Sequence, residues 1–195
     1  MMNEVMCPRT IKDCFIMDEH ELNPTPKNLF SKIYALMISS RYSMPVYMRL
    51  SQYFYKRREN STFFISRKFF ALLQSYFTRK NQINNNFEVS PNCMIMGGGV
   101  VFHHSGVCIT TNTVIEKGVH IYRNVTFGAK NGKAPYIKQG AKIASHSIVL
   151  GGVIIGEHSI VAPGSVVIND VPDGKVVAGI PAKILCDVTE INYCF

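Results

Sequence analysis

Two adjacent histidines, His103 and His104, stand just before Gly106 in the string GGGVVFHHSGVCI, residues 97–109. Imidazole is the side chain whose protonation state changes near neutral pH, so it can take a proton from a weak nucleophile such as an alcohol. Backbone N–H groups at a tight glycine corner could hold negative charge that develops on a reacting oxygen. This segment therefore offers the groups needed for acid–base chemistry.

A repeat of six residues indicates the elements that position these histidines. With one break, at Asn131, twelve of thirteen positions spaced by six are Val or Ile, and the thirteenth is β-branched. The positions are Val89, Ile95, Val101, Val107, Thr113, Val119, Val125, Ile137, Ile143, Val149, Ile155, Val161 and Val167. A period of six fits neither a helix nor an antiparallel sandwich, but it fits short strands joined by frequent turns. Residues 88 to about 170 are predicted to form a triangular parallel β-helix, from which residues 128–136 leave as a loop.

Residues 88–185 resemble the hexapeptide-repeat acyltransferases. The string His103-x-x-Gly106-Val-x-Ile resembles the catalytic segment of the serine acetyltransferase group, and the overall pattern is closest to related enzymes that O-acetylate bacterial surface polysaccharides. The resemblance implies a mainly β fold, a left-handed parallel β-helix of hexapeptide repeats with an N-terminal α-helical segment. We predict a helical segment over 1–86, the acyltransferase domain over 87–185 and a C-terminal tail over 186–195.

The resemblance also implies the chemistry. In this group the histidine that opens the motif is the general base, which assigns that role to His103; a register shifted by one residue would move it to His104. The acidic partner, usually Asp, falls on Glu88, fifteen residues earlier, where one circuit of the β-helix brings the two positions close. A carboxylate at the second ring nitrogen would fix the tautomer and stabilise the imidazolium. The acyl group then passes directly from acetyl-CoA to the acceptor, without a covalent enzyme intermediate.

The same resemblance implies a coenzyme site. Family contacts to the pantetheine arm fall on Ala129, Ser145 and Pro163, and the closing signature VVAGIPAKIL places its basic residue, Lys183, near the adenosine phosphates. The coenzyme lies between adjacent β-helices of a trimer in this family, so acetyl-CoA as co-substrate and a homotrimer are expected. No metal is expected, because zinc-binding β-helix relatives use two histidines five residues apart and no histidine pair here has that spacing.

Two departures from the serine acetyltransferases concern the acceptor. Phe102 replaces the acidic residue that precedes the base, and Lys133-Ala134-Pro135 replaces an Arg-His-Pro string that helps bind the amino acid. An apolar side chain cannot pair an ammonium group but suits the face of a sugar. Phe102, His104 and Lys133 are therefore assigned to acceptor binding, and a sugar hydroxyl of a bacterial surface polysaccharide or its precursor is the favoured acceptor. Serine O-acetylation for cysteine synthesis and a non-catalytic scaffold are the alternatives.

Composition and charge limit the classes of protein and the locations that remain possible. The chain of 195 residues is 47% hydrophobic and 17% charged, which suits a protein with a buried core. No stretch reads as a membrane-spanning helix or a secretory signal, so a cytoplasmic location is expected. Eleven basic residues and one acid lie between Lys27 and Lys80, on helices predicted over 27–57, broken near Pro45, and over 61–79. These helices either pack on the protein itself or lie against an anionic membrane; nucleic-acid binding is not expected.

Overall fold

A computed structural model of the chain describes residues 28, 30, 39–90, 94–95 and 98–190. Two long helices, α1 at Ser40–Glu59 and α2 at Phe64–Asn85, precede the strands, and a 3₁₀ turn at Val188–Glu190 follows them. The strands are β1 Glu88–Val89, β2 Met94–Ile95, β3 Val101–Phe102, β4 Cys108–Ile109, β5 Val114–Ile115, β6 His120–Ile121, β7 Thr126–Gly128, β8 Tyr136–Ile137, β9 Lys142–Ile143, β10 Ile148–Leu150, β11 Ile154–Ile155, β12 Ile160–Val161, β13 Val166–Val167, β14 Lys175–Gly179 and β15 Ala182–Asp187.

The strands form three sheets in which a strand usually pairs with the one three places later, so each coil of the chain crosses all three faces. Sheet A contains β1, β4, β7, β10 and β13, and sheet B contains β2, β5, β8 and β11. Sheet C contains β3, β6, β9, β12, β14 and β15, parallel except for the final β14–β15 pair. The predicted fold class is confirmed: the chain is mainly β, a left-handed parallel β-helix preceded by α-helices.

The core consists of apolar side chains stacked one coil above another. In sheet A, Ile109, Phe127, Val149 and Val167 are in register on successive strands, and each is at most 2% exposed. Neighbouring strands lie about 4.8 Å apart, so these side chains pack along the axis of the prism. Each coil therefore buries its apolar surface against the coils above and below it.

The predicted phase of the repeat agrees with the structure at Val89 and Ile95, which pair with Ile109 and Ile115, but it is wrong from Val101 to the loop. Val107 and Val125 occupy a corner position equivalent to Ser147, two residues before the stacked strand residues. The cause is the loop, which lengthens one coil: Thr126 pairs with Ile148, twenty-two residues on, where a regular coil has eighteen. Both classes of position face the interior, since Val107 and Val125 are 1% and 0% exposed, and each can therefore hold an aliphatic residue.

Serine at this corner position has a structural use. The hydroxyls of Ser147, Ser159 and Ser165 each donate to the carbonyl three residues earlier, at 2.7 Å. These bonds satisfy polar groups that the turn would otherwise bury without a partner. The small residues predicted at the corners are thus explained by the geometry of the turn.

Further elements cover both ends of the prism. At the N-terminal end, α1 packs on α2 with the rings of Phe54 and Phe77 stacked at 5.7 Å. Met44 and Met48 of α1 join the core cluster of the β-helix together with Phe87. At the other end, the antiparallel β14–β15 pair extends sheet C. The apolar ends of the first and last coils are therefore shielded.

The predicted helices differ from the observed ones at their ends. Pro45 lies inside α1 and does not separate two helices. The helix predicted over 61–79 begins at Phe64, with Phe63 at its N-cap, and continues to Asn85. Residues 27, 29 and 31–38 of the first predicted helix lie outside the described residues. Neither α1 nor α2 combines the length and apolar character that a membrane span requires.

Candidate active site

His103 follows β3 at the corner between sheets C and A and is half-buried. Its backbone N–H donates to the Ile121 carbonyl at 2.9 Å, which fixes the corner to the next coil. Its ring stacks on the ring of Tyr122, with centroids 4.3 Å apart and planes inclined by 9°. Its Nε2 lies 3.0 Å from Nδ1 of His120, so the two imidazoles share a hydrogen bond. The imidazole predicted as the base is therefore held by two side chains of the neighbouring coil.

Strand geometry explains why those two side chains meet His103. Ile121 lies between His120 and Tyr122 and is fully buried in the prism. Because side chains alternate along a strand, the residues on either side of Ile121 point outward together. Phe102 is in register with Ile121, which brings the outward-facing ring of His103 beside both of them.

Glu88, the predicted partner of the base, lies on β1 in sheet A, a different face from β3. Its Oε1 accepts a hydrogen bond from Nε2 of Gln82 at 2.7 Å, and Sγ of Cys108 lies 3.9 Å from its Oε2. Glu88 pairs in register with Cys108, twenty residues later, so the first coil is longer than the eighteen residues assumed from the repeat. The structure therefore does not bring Glu88 and His103 together as a hydrogen-bonded dyad.

Cys108 is the nucleophilic side chain beside that carboxylate. Burial raises the pKa of its thiol, and the charge of Glu88 and the hydrogen bond to it raise the pKa further. The thiolate, not the thiol, is the reactive form of cysteine. Cys108 is thus poorly suited to carry an acyl group, which agrees with direct transfer to an acceptor.

A column of residues continues from His103 along the axis of the prism. The register of sheet C places His103, Tyr122, Ala144, Ala162 and Ala178 one above another on successive strands. Beyond Tyr122 the column consists of three alanines, of which Ala144 is buried and Ala162 and Ala178 are half-buried. At about 4.8 Å per strand, the column from the β3 end to β14 spans roughly 19 Å.

Three of the four predicted coenzyme-binding residues border this column. Ser145 and Pro163 come directly after Ala144 and Ala162, and the Ser145 carbonyl accepts from the backbone N–H of Gly164 at 3.0 Å. Lys183 is exposed on β15, where its Cα pairs with that of Ala178 at the far end of the column. An imidazole and a cation thus stand at opposite ends of a run of small residues.

The two predicted site residues in and beside the loop, Ala129 and Lys133, lie away from the His103 column. Ala129 directly follows β7, at the edge of sheet A that faces sheet B, and Lys133 pairs with Lys130 in the loop that begins there. Both residues are exposed. Within one protomer, the structure therefore separates Ala129 and Lys133 from the His103 column by the width of sheet A.

The assignment of Phe102 to acceptor binding is wrong. Its side chain is 2% exposed, and its ring meets that of Phe87 edge to face, with centroids 4.9 Å apart. Phe102 is in register with Ile121, so it points into the prism as part of the core. His104, by contrast, is exposed directly beside His103 and stays available to an acceptor.

His120 and Tyr122, which contact the His103 ring, were not expected from the sequence. His120 stands seventeen residues after His103, and its neighbour in the register is Val101, nineteen residues earlier. A uniform coil length of eighteen residues does not predict that pairing. Among the described residues, no cluster of three or more His, Cys, Asp or Glu side chains is positioned to hold a metal ion.

The fold and this column define a hexapeptide-repeat β-helix with a candidate base at one corner. Comparison with known families agrees: the family described as "Bacterial transferase hexapeptide (six repeats)" matches residues 134–169, the coils that follow the loop. Solved structures of the same fold cover most of the chain. A serine acetyltransferase in complex with CoA superposes with a TM-score of 0.72 at 23% identity, over 90% of this chain and 70% of that one.

The named relatives are serine acetyltransferases. The chain is 31% identical to the serine acetyltransferase of Bacillus subtilis (strain 168) over 141 residues, which make up 70% of this chain and 60% of the relative. It is 33% identical to the serine acetyltransferase of Escherichia coli (strain K12) over 112 residues, 54% of this chain and 41% of the relative. The structure of serine acetyltransferase from Brucella abortus strain S19 has a TM-score of 0.71 at 25% identity, over 90% of this chain and 69% of that one. The chain spans about half the length of the curated relatives it matches.

These comparisons support the acetyltransferase group predicted from the sequence, but the predicted preference for a polysaccharide acceptor is wrong. The relatives and structural neighbours are named serine acetyltransferases, which agrees with the alternative acceptor, serine. The structure gives the reason for the error. Contact with a sugar would require Phe102 to face the acceptor, and Phe102 is a core residue.

Proposed function

We propose that this chain is an acetyl-CoA-dependent O-acetyltransferase whose acceptor is the hydroxyl of L-serine. The observation that carries the proposal is the column of small residues with His103 at one end and Lys183 at the other. The names of the relatives support the choice of serine, and one neighbour of the same fold was solved with CoA and another with serine. O-acetylation of serine is a first step in making cysteine from serine.

His103 acts as the general base in the proposed reaction. An alcohol is a weak nucleophile at neutral pH, and a positioned imidazole that takes its proton speeds the attack by about 10²–10⁴-fold. The serine oxygen forms a bond to the thioester carbonyl carbon as its proton passes to His103. The carbon–sulfur bond then breaks, and the proton moves from His103 to the leaving thiolate. The products are O-acetylserine and free CoA.

The coenzyme arm lies along the small-residue column in this proposal. Small side chains at Ser145 and Ala162 allow an extended chain to approach the backbone, while Pro163 offers a carbonyl but no N–H. The exposed Lys183 is placed to pair with phosphate at the far end of the coenzyme. Acetyl-CoA supplies the activated acetyl group, and the residues of this chain hold it beside His103.

A homotrimer is part of the proposal, because it explains the residues that stand apart in one protomer. Ala129 and Lys133 are exposed on the opposite edge of sheet A from the His103 column. A second copy of the chain, placed edge to edge, would bring its Ala129 and Lys133 to that column. Lys133 would then supply a cation for the carboxylate of serine, and His104 a neighbouring hydrogen-bond donor. Sedimentation of the purified chain would test the trimer.

An assay of thiol release tests the function directly. The full chain is incubated with acetyl-CoA and either L-serine or L-alanine, which differ only in the hydroxyl group. The proposal expects thiol release that depends on serine, an equal amount of O-acetylserine by mass spectrometry, and no acceptor-dependent release with alanine. Binding of acetyl-CoA without any transfer to serine would contradict the proposal.

We also propose that the N-terminal helices make a peripheral contact with anionic membrane at a cytoplasmic surface. On α2, Phe64, Phe69 and Leu72 are 57–73% exposed, and Lys68 lies in the same stretch. A basic helix with exposed aromatic residues suits the interface of an anionic bilayer. Co-sedimentation with vesicles that contain anionic lipid is the expected result, and equal recovery from neutral and anionic vesicles would contradict it.

A further inference from the structure

We propose that His120 is the positioning residue for His103, taking the place that a carboxylate holds in a carboxylate–histidine pair. This inference rests on the proposed function, because it gives His103 a partner for that reaction. His120 lies on β6, one coil from His103, and its Nδ1 is 3.0 Å from Nε2 of His103.

Two contacts fix the ring of His103 in one orientation. The hydrogen bond to His120 fixes the direction of Nε2, and the stacked ring of Tyr122 fixes the plane. The rings of His103 and His120 are themselves nearly parallel, with centroids 5.3 Å apart and planes inclined by 22°. A side chain held in this way loses little conformational freedom when the acceptor binds, which is a requirement for efficient proton transfer.

The hydrogen bond also determines which nitrogen of His103 can act. A neutral imidazole has one N–H and one lone pair, on different nitrogens. If Nε2–H of His103 donates to the lone pair on Nδ1 of His120, the lone pair of His103 is on Nδ1, and Nδ1 is the atom that takes the proton of the serine hydroxyl. Nε2–H stays bonded to His120 throughout, and this bond becomes charge-assisted and therefore stronger once His103 is an imidazolium.

The charge near His120 favours a neutral His120 that accepts the hydrogen bond from Nε2–H of His103. Lys142 on β9 is in register with His120 on the same outer face, Tyr122 lies two residues along the chain, and Val101 is its neighbour on β3. A nearby positive charge disfavours a second one, so Lys142 opposes protonation of His120.

Glu88 does not compete for this role. Its carboxylate is engaged by Gln82 and Cys108 on the sheet A side of the molecule. The hydrogen bond that the described residues show at the His103 ring is thus the one to His120, an imidazole and not a carboxylate.

Kinetics of three variants test the inference. His120→Phe keeps the ring volume but removes the acceptor, whereas His120→Asn places a side-chain amide oxygen near the position of Nδ1. The matched control is His158→Asn, an exposed corner histidine remote from His103. We expect kcat with serine to fall about ten- to hundredfold in H120F, to recover at least partly in H120N, and to stay unchanged in H158N, with KM for acetyl-CoA constant in all three.

The pH profile separates positioning from a merely structural role. Loss of the acceptor destabilises the imidazolium of His103, so the ascending limb of kcat/KM is expected to move to lower pH in H120F and to stay near the wild-type position in H120N. Equal kcat and an unshifted limb in H120F would overturn the inference.

A second measurement does not depend on acetyl transfer. In ¹⁵N-histidine-labelled wild-type protein, the shifts of His103 are expected to report the Nε2–H tautomer, with a coupling across the hydrogen bond to Nδ1 of His120. The opposite tautomer, or no coupling, would overturn the inference even if H120F failed to fold. If the coupling is present but serine is not acetylated, the proposed function fails and the histidine pair stands.

Discussion

Replacement of Gly106 by alanine should reveal why the corner beside His103 carries a glycine. Gly106 has a φ of +87°, in the left-handed region that L side chains rarely adopt. A Cβ at this position would lie 2.0 Å from Oδ1 and 3.1 Å from Cγ of Asn124 on the next coil. Two separate costs are therefore expected, one from the backbone and one from the close approach.

The two costs can be estimated separately. A left-handed conformation costs a non-glycine residue about 1–2 kcal/mol. Displacing the Asn124 side chain from its preferred rotamer adds about 0.5–1.5 kcal/mol. We therefore expect Gly106→Ala to lower the free energy of unfolding by about 1.5–3.5 kcal/mol. Gly164→Ala is the matched control, because Gly164 has a φ of +69° but no atom within 4 Å of the position that a Cβ would take, and it should cost only about 1–2 kcal/mol.

Urea unfolding of a double-mutant cycle measures the difference. Asn124→Gly removes the obstructing side chain and tolerates the φ of +55° at that position. In the N124G background, G106A should cost about the same as G164A, since only the backbone term remains. An equal cost of G106A with and without Asn124 would refute the close-approach argument, and a cost below that of G164A would refute the estimate altogether.

Three further predictions concern charge, coenzyme and core. Burial and the hydrogen bond donated to Glu116 raise the pKa of Tyr136 to about 12, above its value of about 10 in an unfolded chain. The contribution of Tyr136 to the free energy of unfolding is complete below pH 10 and is lost as the pH rises towards 12. Tyr136→Phe should therefore make the free energy of unfolding fall less steeply over this pH range. The same pH dependence in the variant and the wild type would contradict the prediction. Lys183→Ala should raise KM for acetyl-CoA roughly three- to tenfold in steady-state assays with kcat unchanged, and a fall in kcat alone would count against a phosphate contact. Ile143→Ala, at a fully buried position, should cost about 2–5 kcal/mol, against less than about 1 kcal/mol for the 42% exposed Ile154→Ala; equal costs would argue against the inward stacking.

The β-helix could be predicted because its physical cause is local and repetitive. Each coil needs aliphatic side chains inside and small residues at its corners, and both requirements recur every six residues along the chain. The phase is harder to predict, because corner positions such as Val125 also face the interior. Only the pairing of Thr126 with Ile148 shows how many residues the loop adds to its coil.

Part of the site, the position of His103, could be predicted because it also depends on local sequence. His103 is recognised from the spacing of its motif, which lies within a few residues of sequence. Its contacts are between coils, and those depend on coil lengths that vary: Glu88 pairs with Cys108 twenty residues on, whereas Val101 pairs with His120 nineteen residues on. The resemblance gives Glu88 as the partner, and a uniform coil of eighteen residues supports that assignment and does not predict the contact with His120.

The predicted preference for a sugar acceptor was wrong because it assumed that the side chain of Phe102 points outward. Sequence alone shows that Phe102 precedes His103, but not whether its ring points into the prism or out of it. Both Val101 and Phe102 are buried, but only Phe102 belongs to the core cluster of the prism, so burial alone does not give the direction of a side chain. A single residue type beside a motif is thus a poor guide to substrate where the register is unknown.

The proposed mechanism requires the imidazole of His103 to take the proton of serine during acetyl transfer. The most direct test is the single-turnover rate of acetyl transfer from acetyl-CoA to serine by His103→Ala, with His104→Ala measured beside it and coenzyme binding followed by calorimetry. We expect a loss of about 10²–10⁴-fold for H103A, with acetyl-CoA still bound, and a smaller loss for H104A. An H103A rate close to that of the wild type, or a larger loss in H104A, would contradict it.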